Sequence, residues 1–193
     1  MPPPDPELPL DGPLWCFAQR VYGQPGVAQA CLALQQRLGA DVNLLLFAAW
    51  LGAERGTSLP ASLAQEARQR VAAWHEEIVR PLRAVRQRMK TGPRPAPCGA
   101  TEALRDALKA VEIGSERIEL AVLETLAPEA PQNRPDVRPD GIIRANLRTV
   151  LALSAGGDAL VEADRPVRAI ARASLEIAGV SLDIAEEAVP CGG

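Results

Sequence analysis

A chain of 193 residues, 47% hydrophobic and 23% charged, has the size and balance of one globular domain with a substantial core. Its net charge of -3 excludes a general nucleic-acid binder, which is strongly basic. No apolar run approaches the roughly 20 residues of a membrane span. Aromatics are only 3%, so the core is built from Leu, Ala, Val and Ile, a palette that suits packed helices better than strands.

Residues 1–12 hold five of the 18 prolines and read as a disordered lead. The start has neither the basic region nor the apolar stretch of a secretory signal, so a cytoplasmic location is expected. A first helix, Pro13 to Tyr22, begins with proline where a missing N–H costs nothing. The second, Val27 to Leu38, carries Val27, Cys31, Leu34 and Leu38 as one stripe and ends at Gly39. Asp41 is a good N-cap for the third, which runs to about Arg55 and is apolar on every side, the mark of a buried helix.

The fourth helix, Pro60 to Lys90, shows a long stripe of Leu63, Ala67, Val71, Trp74, Ile78, Leu82, Val85 and Met89, with a kink expected near Ile78 because Pro81 lacks an N–H. A fifth helix, Thr101 to Leu126, presents Leu104, Leu108, Val111, Ile118 and Val122, and Gly114-Ser115 interrupts it, marking a bend or a close helix contact. Pro128 to Pro139 is a proline-rich exposed connection. A sixth helix spans Asp140 to Leu153, and a weaker one spans Asp164 to Ala178. The expectation is an all-α, single-domain bundle of five to seven helices over 13–155. A helical C-terminal extension with a flexible tail follows over 156–193.

No catalytic, cofactor-binding or metal constellation emerges. The single histidine, His75, lacks the second histidine of a zincin at position 79 and the glutamate of a di-iron motif at position 72; it reads as part of a solvated helix. Glu112, Glu116 and Glu119 alternate with Arg105, Lys109 and Arg117 and read as a solvated face of i,i+4 pairs. Cys16, Cys31, Cys98 and Cys191 are scattered, without the spacing of a metal cluster; Cys16 and Cys31 read as small core residues. No phosphate-binding glycine loop is present, and no cofactor is expected.

Charge is distributed unevenly. From Arg68 to Arg94 there are eight Lys/Arg and two Glu, a local balance of +6, with Arg80, Arg83, Arg86, Arg88 and Lys90 crowding three turns. Basic residues complement the C-terminal end of a helix dipole, but only over its last turn. Pairing with the acidic fifth helix is a second explanation, and a site for an anionic partner is a third.

Trp15-x-Phe17, Val21-Tyr22, Val27-Ala28-x-Ala30-Cys31-Leu32-x-Leu34-Gln35, Asp41-Val42-Asn43-Leu44-Leu45, Trp50-Leu51, Trp74 and Pro81-Leu82-Arg83-x-x-Arg86 together form a pattern that resembles a family of small helical proteobacterial proteins known only as a domain of unknown function. The likeness covers about residues 15–90, with a weaker echo at Asn146-Leu147. It implies a cytosolic helical protein and brings no activity, cofactor or catalytic residue with it. Asn43, Trp50, Trp74 and Arg83 stand out in the pattern.

These readings converge on a helical protein-interaction module, an adaptor or regulator. It would dock an acidic or phosphate-bearing protein beside Trp74 and the basic face of Arg80, Arg83, Arg86 and Lys90. An enzyme or small-molecule binder with a pocket between helices is the first rival. An RNA- or ribosome-associated factor is the second. No membrane partner is expected, and nucleic acid is disfavoured.

Overall fold

Asp41 starts the helix on which the others pack. In the computed structural model, which describes residues 8, 10–129, 139–155 and 162–179, its Oδ1 accepts the Asn43 N–H at 2.8 Å. Helix α3, Val42–Ala53, follows, with Asn43 through Ala53 all buried. Helices α1 (Pro13–Tyr22), α2 (Val27–Leu38), α6 (Gly99–Glu124), α7 (Pro139–Ala152) and α8 (Asp164–Ile177) pack around it. The helices of the described residues form an all-α bundle, as the periodicity predicts.

The α3–α7 crossing is the tightest and has two causes in the sequence. A Cβ on Gly52 would stand 2.8 Å from Ile143 Cγ1 and 2.9 Å from its Cα, so only glycine lets the backbones meet there. Beside it, the buried Asn146 amide donates to Ala48 O at 3.2 Å and Thr57 O at 2.9 Å. Its Oδ1 accepts the Leu59 N–H at 2.7 Å. One side chain thus satisfies the Thr57 carbonyl and the Leu59 N–H in the loop after α3, and adds a second hydrogen bond to Ala48 O within the helix.

Elements α1, α2, α7 and α8 lie within a residue or so of the expected bounds, and α3 ends two residues earlier. The helix expected in the C-terminal extension, α8, buries Val167, Ile170, Ala171 and Leu175 in the same core as α3. Most of the proline-rich lead, the 128–139 connection and the tail lie outside the described residues. Two expectations are corrected. Helix α6 runs straight through Gly114-Ser115, because a glycine facing open space costs only about 1 kcal/mol inside a long packed helix. Cys16 is exposed rather than core, whereas Cys31 is buried.

The long fourth rod departs most from its pattern. It comprises α4 (Ala61–Trp74), a π-helical turn (His75–Val79) and α5 (Arg80–Arg88). In the turn the Arg80 N–H donates to His75 O, five residues back. Pro81 has no N–H to offer and its ring collides with an ordinary i−4 carbonyl, so widening the turn relieves both problems. The extra residue advances the inward face by one position. Val79 is fully buried where Ile78 was expected, and Ile78 and Val85 are left 38% and 51% exposed. The apolar stripe therefore ends at the turn, and polar side chains face inward beyond it.

Candidate functional site

The rotation past the turn brings Arg83 and Arg86 against α6. There the spacing Leu108, Glu112, Ser115, Glu119, Leu123 forms one helical face with polar residues in its middle. Glu112, Ser115 and Glu119 are buried. Arg83 Nε donates to Glu112 Oε1 at 3.0 Å, and its terminal nitrogen donates to Glu116. Arg86 adds two more hydrogen bonds to Glu112, from Nε to Oε2 and from its terminal nitrogen to Oε1 at 3.1 Å. Burial pushes the Glu112 carboxyl up, but the hydrogen bonds from Arg86 and Arg83 outweigh it and hold it below its ordinary value. Glu116 goes the other way: burial raises it, and Arg83 only partly offsets that. Trp74 closes the seam by donating its indole N–H to Ser115 O at 3.0 Å.

One turn away, the π-helical turn aims His75 inward. Its side chain is 13% exposed, and Nδ1 stands 3.2 Å from Asp41 Oδ2 and 3.2 Å from Glu119 Oε2. Three helices supply this group: the cap of α3, the π-helical turn and α6. Burial alone would lower His75, yet the hydrogen bond to Glu119 and the charges of Asp41 and Glu119 raise it above its usual range. Burial also pushes the Glu119 carboxyl up to about 7, with His75 opposing and Asp41 assisting the rise.

Next to the arginine seam a cleft of about 450 Å³ opens between α1, α2, α3, α5 and α6. Trp15, Tyr22, Leu32, Val42, Leu46 and Ile113 give it an apolar wall. Arg83, Arg86, Lys109, Glu112, Glu116 and Asn43 give it a polar one. Three cations against two carboxylates leave the polar wall with a positive surplus. Asn43 is 5% exposed, and among the described residues only its backbone N–H makes a hydrogen bond beyond those of its helix. Its side-chain amide has no protein partner there.

The model of a family described as a protein of unknown function, DUF2390, matches residues 13–123. The chain belongs to that family. No curated protein and no solved structure matches it. All residues of the seam, the His75 group and the cleft lie inside the DUF2390 stretch, whereas Asn146 and α8 lie outside it. Among the described residues no helix is long and apolar enough to cross a membrane.

In this DUF2390 chain the five residues singled out from the sequence do not form one face. Arg83 and Arg86 are paired inward, and Trp74 is half-buried against Ser115. Arg80 lies outside and pairs with Glu76 one turn back on its own rod, with side chains 60% and 57% exposed. Lys90 is exposed at the end of α5. The solvated readings of His75 and of Glu112, Glu116 and Glu119 are corrected, because these side chains close on residues of other helices rather than on helix neighbours. Asp41 is missed as a site residue altogether, since its role as a cap conceals its second oxygen.

Proposed function

We propose that this chain is a cytoplasmic bacterial binding protein for a small amphipathic molecule carrying a single anionic group. Asn43 carries this reading. Its side-chain amide lines the cleft with no hydrogen bond to the described residues and is not shut off from solvent, so a bound molecule can take over the hydrogen bonds that water makes there. An amide kept at a cleft wall is what a ligand's polar atom would satisfy. The apolar wall of Trp15, Tyr22, Val42 and Leu46 suits an aromatic or aliphatic body. The positive surplus of Arg83, Arg86 and Lys109 over Glu112 and Glu116 suits one negative charge. The adaptor reading has weaker support, because the basic residues it needs do not form one exposed face: Arg83 and Arg86 turn inward, whereas Arg80 and Lys90 stay outside.

The aromatic monoanion 8-anilinonaphthalene-1-sulfonate is a suitable probe. It should bind the folded protein saturably, one per chain, and be displaced by octanoate. Leu32 lies at the rim and is 45% exposed; Leu32→Glu should therefore leave the Tm unchanged and weaken the probe about tenfold, or about 1.4 kcal/mol. Non-saturable binding, or equal affinity in the variant, would overturn the assignment.

A further inference from the structure

We propose that Asp41, His75 and Glu119 form a binding site for one first-row divalent transition-metal ion. The geometry carries it. Two ligand atoms each about 2.1 Å from one ion, subtending about 90–110° at it, stand about 3.0–3.4 Å apart. His75 Nδ1 lies 3.2 Å from Asp41 Oδ2 and 3.2 Å from Glu119 Oε2, and the three residues' ligand atoms all lie within 4.8 Å of one another.

The supporting contacts hold these atoms in place. Asp41 Oδ1 is occupied by the Asn43 N–H, which leaves Oδ2 turned toward the imidazole. Glu119 has no exposed side-chain surface, whereas His75 and Asp41 keep 13% and 14%, so an ion would enter on their side with positions left open. The nearby guanidinium groups of Arg83 and Arg86 are engaged by Glu112 and Glu116. The imidazole is therefore the only cationic partner the two carboxylates have within hydrogen-bonding distance among the described residues. One nitrogen and two carboxylate oxygens suit Mn²⁺, Fe²⁺ or Zn²⁺ better than Ca²⁺ or Mg²⁺, which take oxygen donors alone. The inference does not rest on the cleft reading, because none of the three residues lines the cleft.

The test is calorimetric titration of chelator-stripped protein with Zn²⁺, followed by the absorption bands of Co²⁺ as a report on the ligand set. A Cys16→Ser/Cys98→Ser/Cys191→Ser background removes the two thiols exposed among the described residues and Cys191 with them. One ion per chain is expected, with affinity falling about 100-fold or more in His75→Gln and in Asp41→Asn, and with the Co²⁺ bands altered in both. Asn is as good an N-cap as Asp, so Asp41→Asn retains the helix start and decides the matter should His75→Gln fail to fold. No saturation at one ion per chain, or unchanged affinity and Co²⁺ spectrum in folded Asp41→Asn, would overturn the proposal.

Discussion

Truncating Arg83 to alanine separates the inward reading of the arginine run from the solvated one. The Arg83 side chain is 17% exposed and bridges Glu112, at 6%, and Glu116, at 25%. Removing one partner of a buried ion pair costs about 3–5 kcal/mol, because the charge left behind has lost both water and its counter-ion. Two features reduce the figure here. Arg86 still holds Glu112, and Glu116 regains some water or takes up a proton. The expected loss is then about 2–4 kcal/mol, a large part of the roughly 5–15 kcal/mol that holds a domain together. Arg80→Ala is the internal control: its pair with Glu76 is exposed on the same rod, and it should cost only about 0.3–0.5 kcal/mol. Urea denaturation followed by circular dichroism measures both, at constant m so that the midpoints compare directly. A loss below 1 kcal/mol for Arg83→Ala, or equal losses for the two variants, would refute the buried bridge.

Three further outcomes follow from the same contacts. Trp50→Ala should cost about 3–5 kcal/mol, because Trp50 is 1% exposed at the centre of the core; a change in denaturation midpoint worth under 1 kcal/mol would contradict its place there. Asn146→Leu should lose about 2 kcal/mol or more, since the Thr57 carbonyl and the Leu59 N–H lose their partner at about 1–3 kcal/mol for each buried group; an unchanged urea midpoint would exclude that account. In metal-free protein, stability should fall as pH rises from about 6 to 8. His75 is raised, and Glu119 is raised to about 7, so the folded state holds more protons than the unfolded one. The stabilisation is present below the unfolded values and is lost through the folded ones, at about 1.4 kcal/mol per pH unit for each extra proton. Thermal melts across that range would contradict this if the Tm stayed level or rose.

Most of the architecture was legible because burial and helical period agreed along the chain. The all-apolar α3 could only be central, and its cap at Asp41 and the glycine after α2 marked their own boundaries. The site was hidden by one backbone event. Extending the stripe of α4 at 3.6 residues per turn predicted Ile78 and Val85 inward, and the π-helical turn rotated Val79, Arg83 and Arg86 there instead. Pro81 signalled a disturbance in the right place, but proline alone does not distinguish a kink from an inserted residue. On α6 the spacing itself carries the buried polar face. Leu108, Glu112, Ser115, Glu119 and Leu123 are as regular as the stripe through Leu104 and Val111, which the structure leaves 56% and 55% exposed. An apolar stripe ordinarily faces inward, but the guanidinium groups of Arg83 and Arg86 opposite this face reverse that preference. Asn146 and Gly52 act through long-range contacts that no local spacing announces.

We propose that the cleft between α1, α2, α3, α5 and α6 binds an anionic amphiphile. The three tryptophans provide internal reporters, since Trp15 lines the cleft whereas Trp50 and Trp74 do not. The most direct measurement is a ¹⁵N NMR titration with octanoate, following the indole N–H resonances together with the Asn43 side-chain amide. Trp15 and Asn43 should shift along one shared saturation curve while Trp50 stays still. Silence at both Trp15 and Asn43 at millimolar octanoate, or a shift of Trp50 equal to theirs, would contradict it.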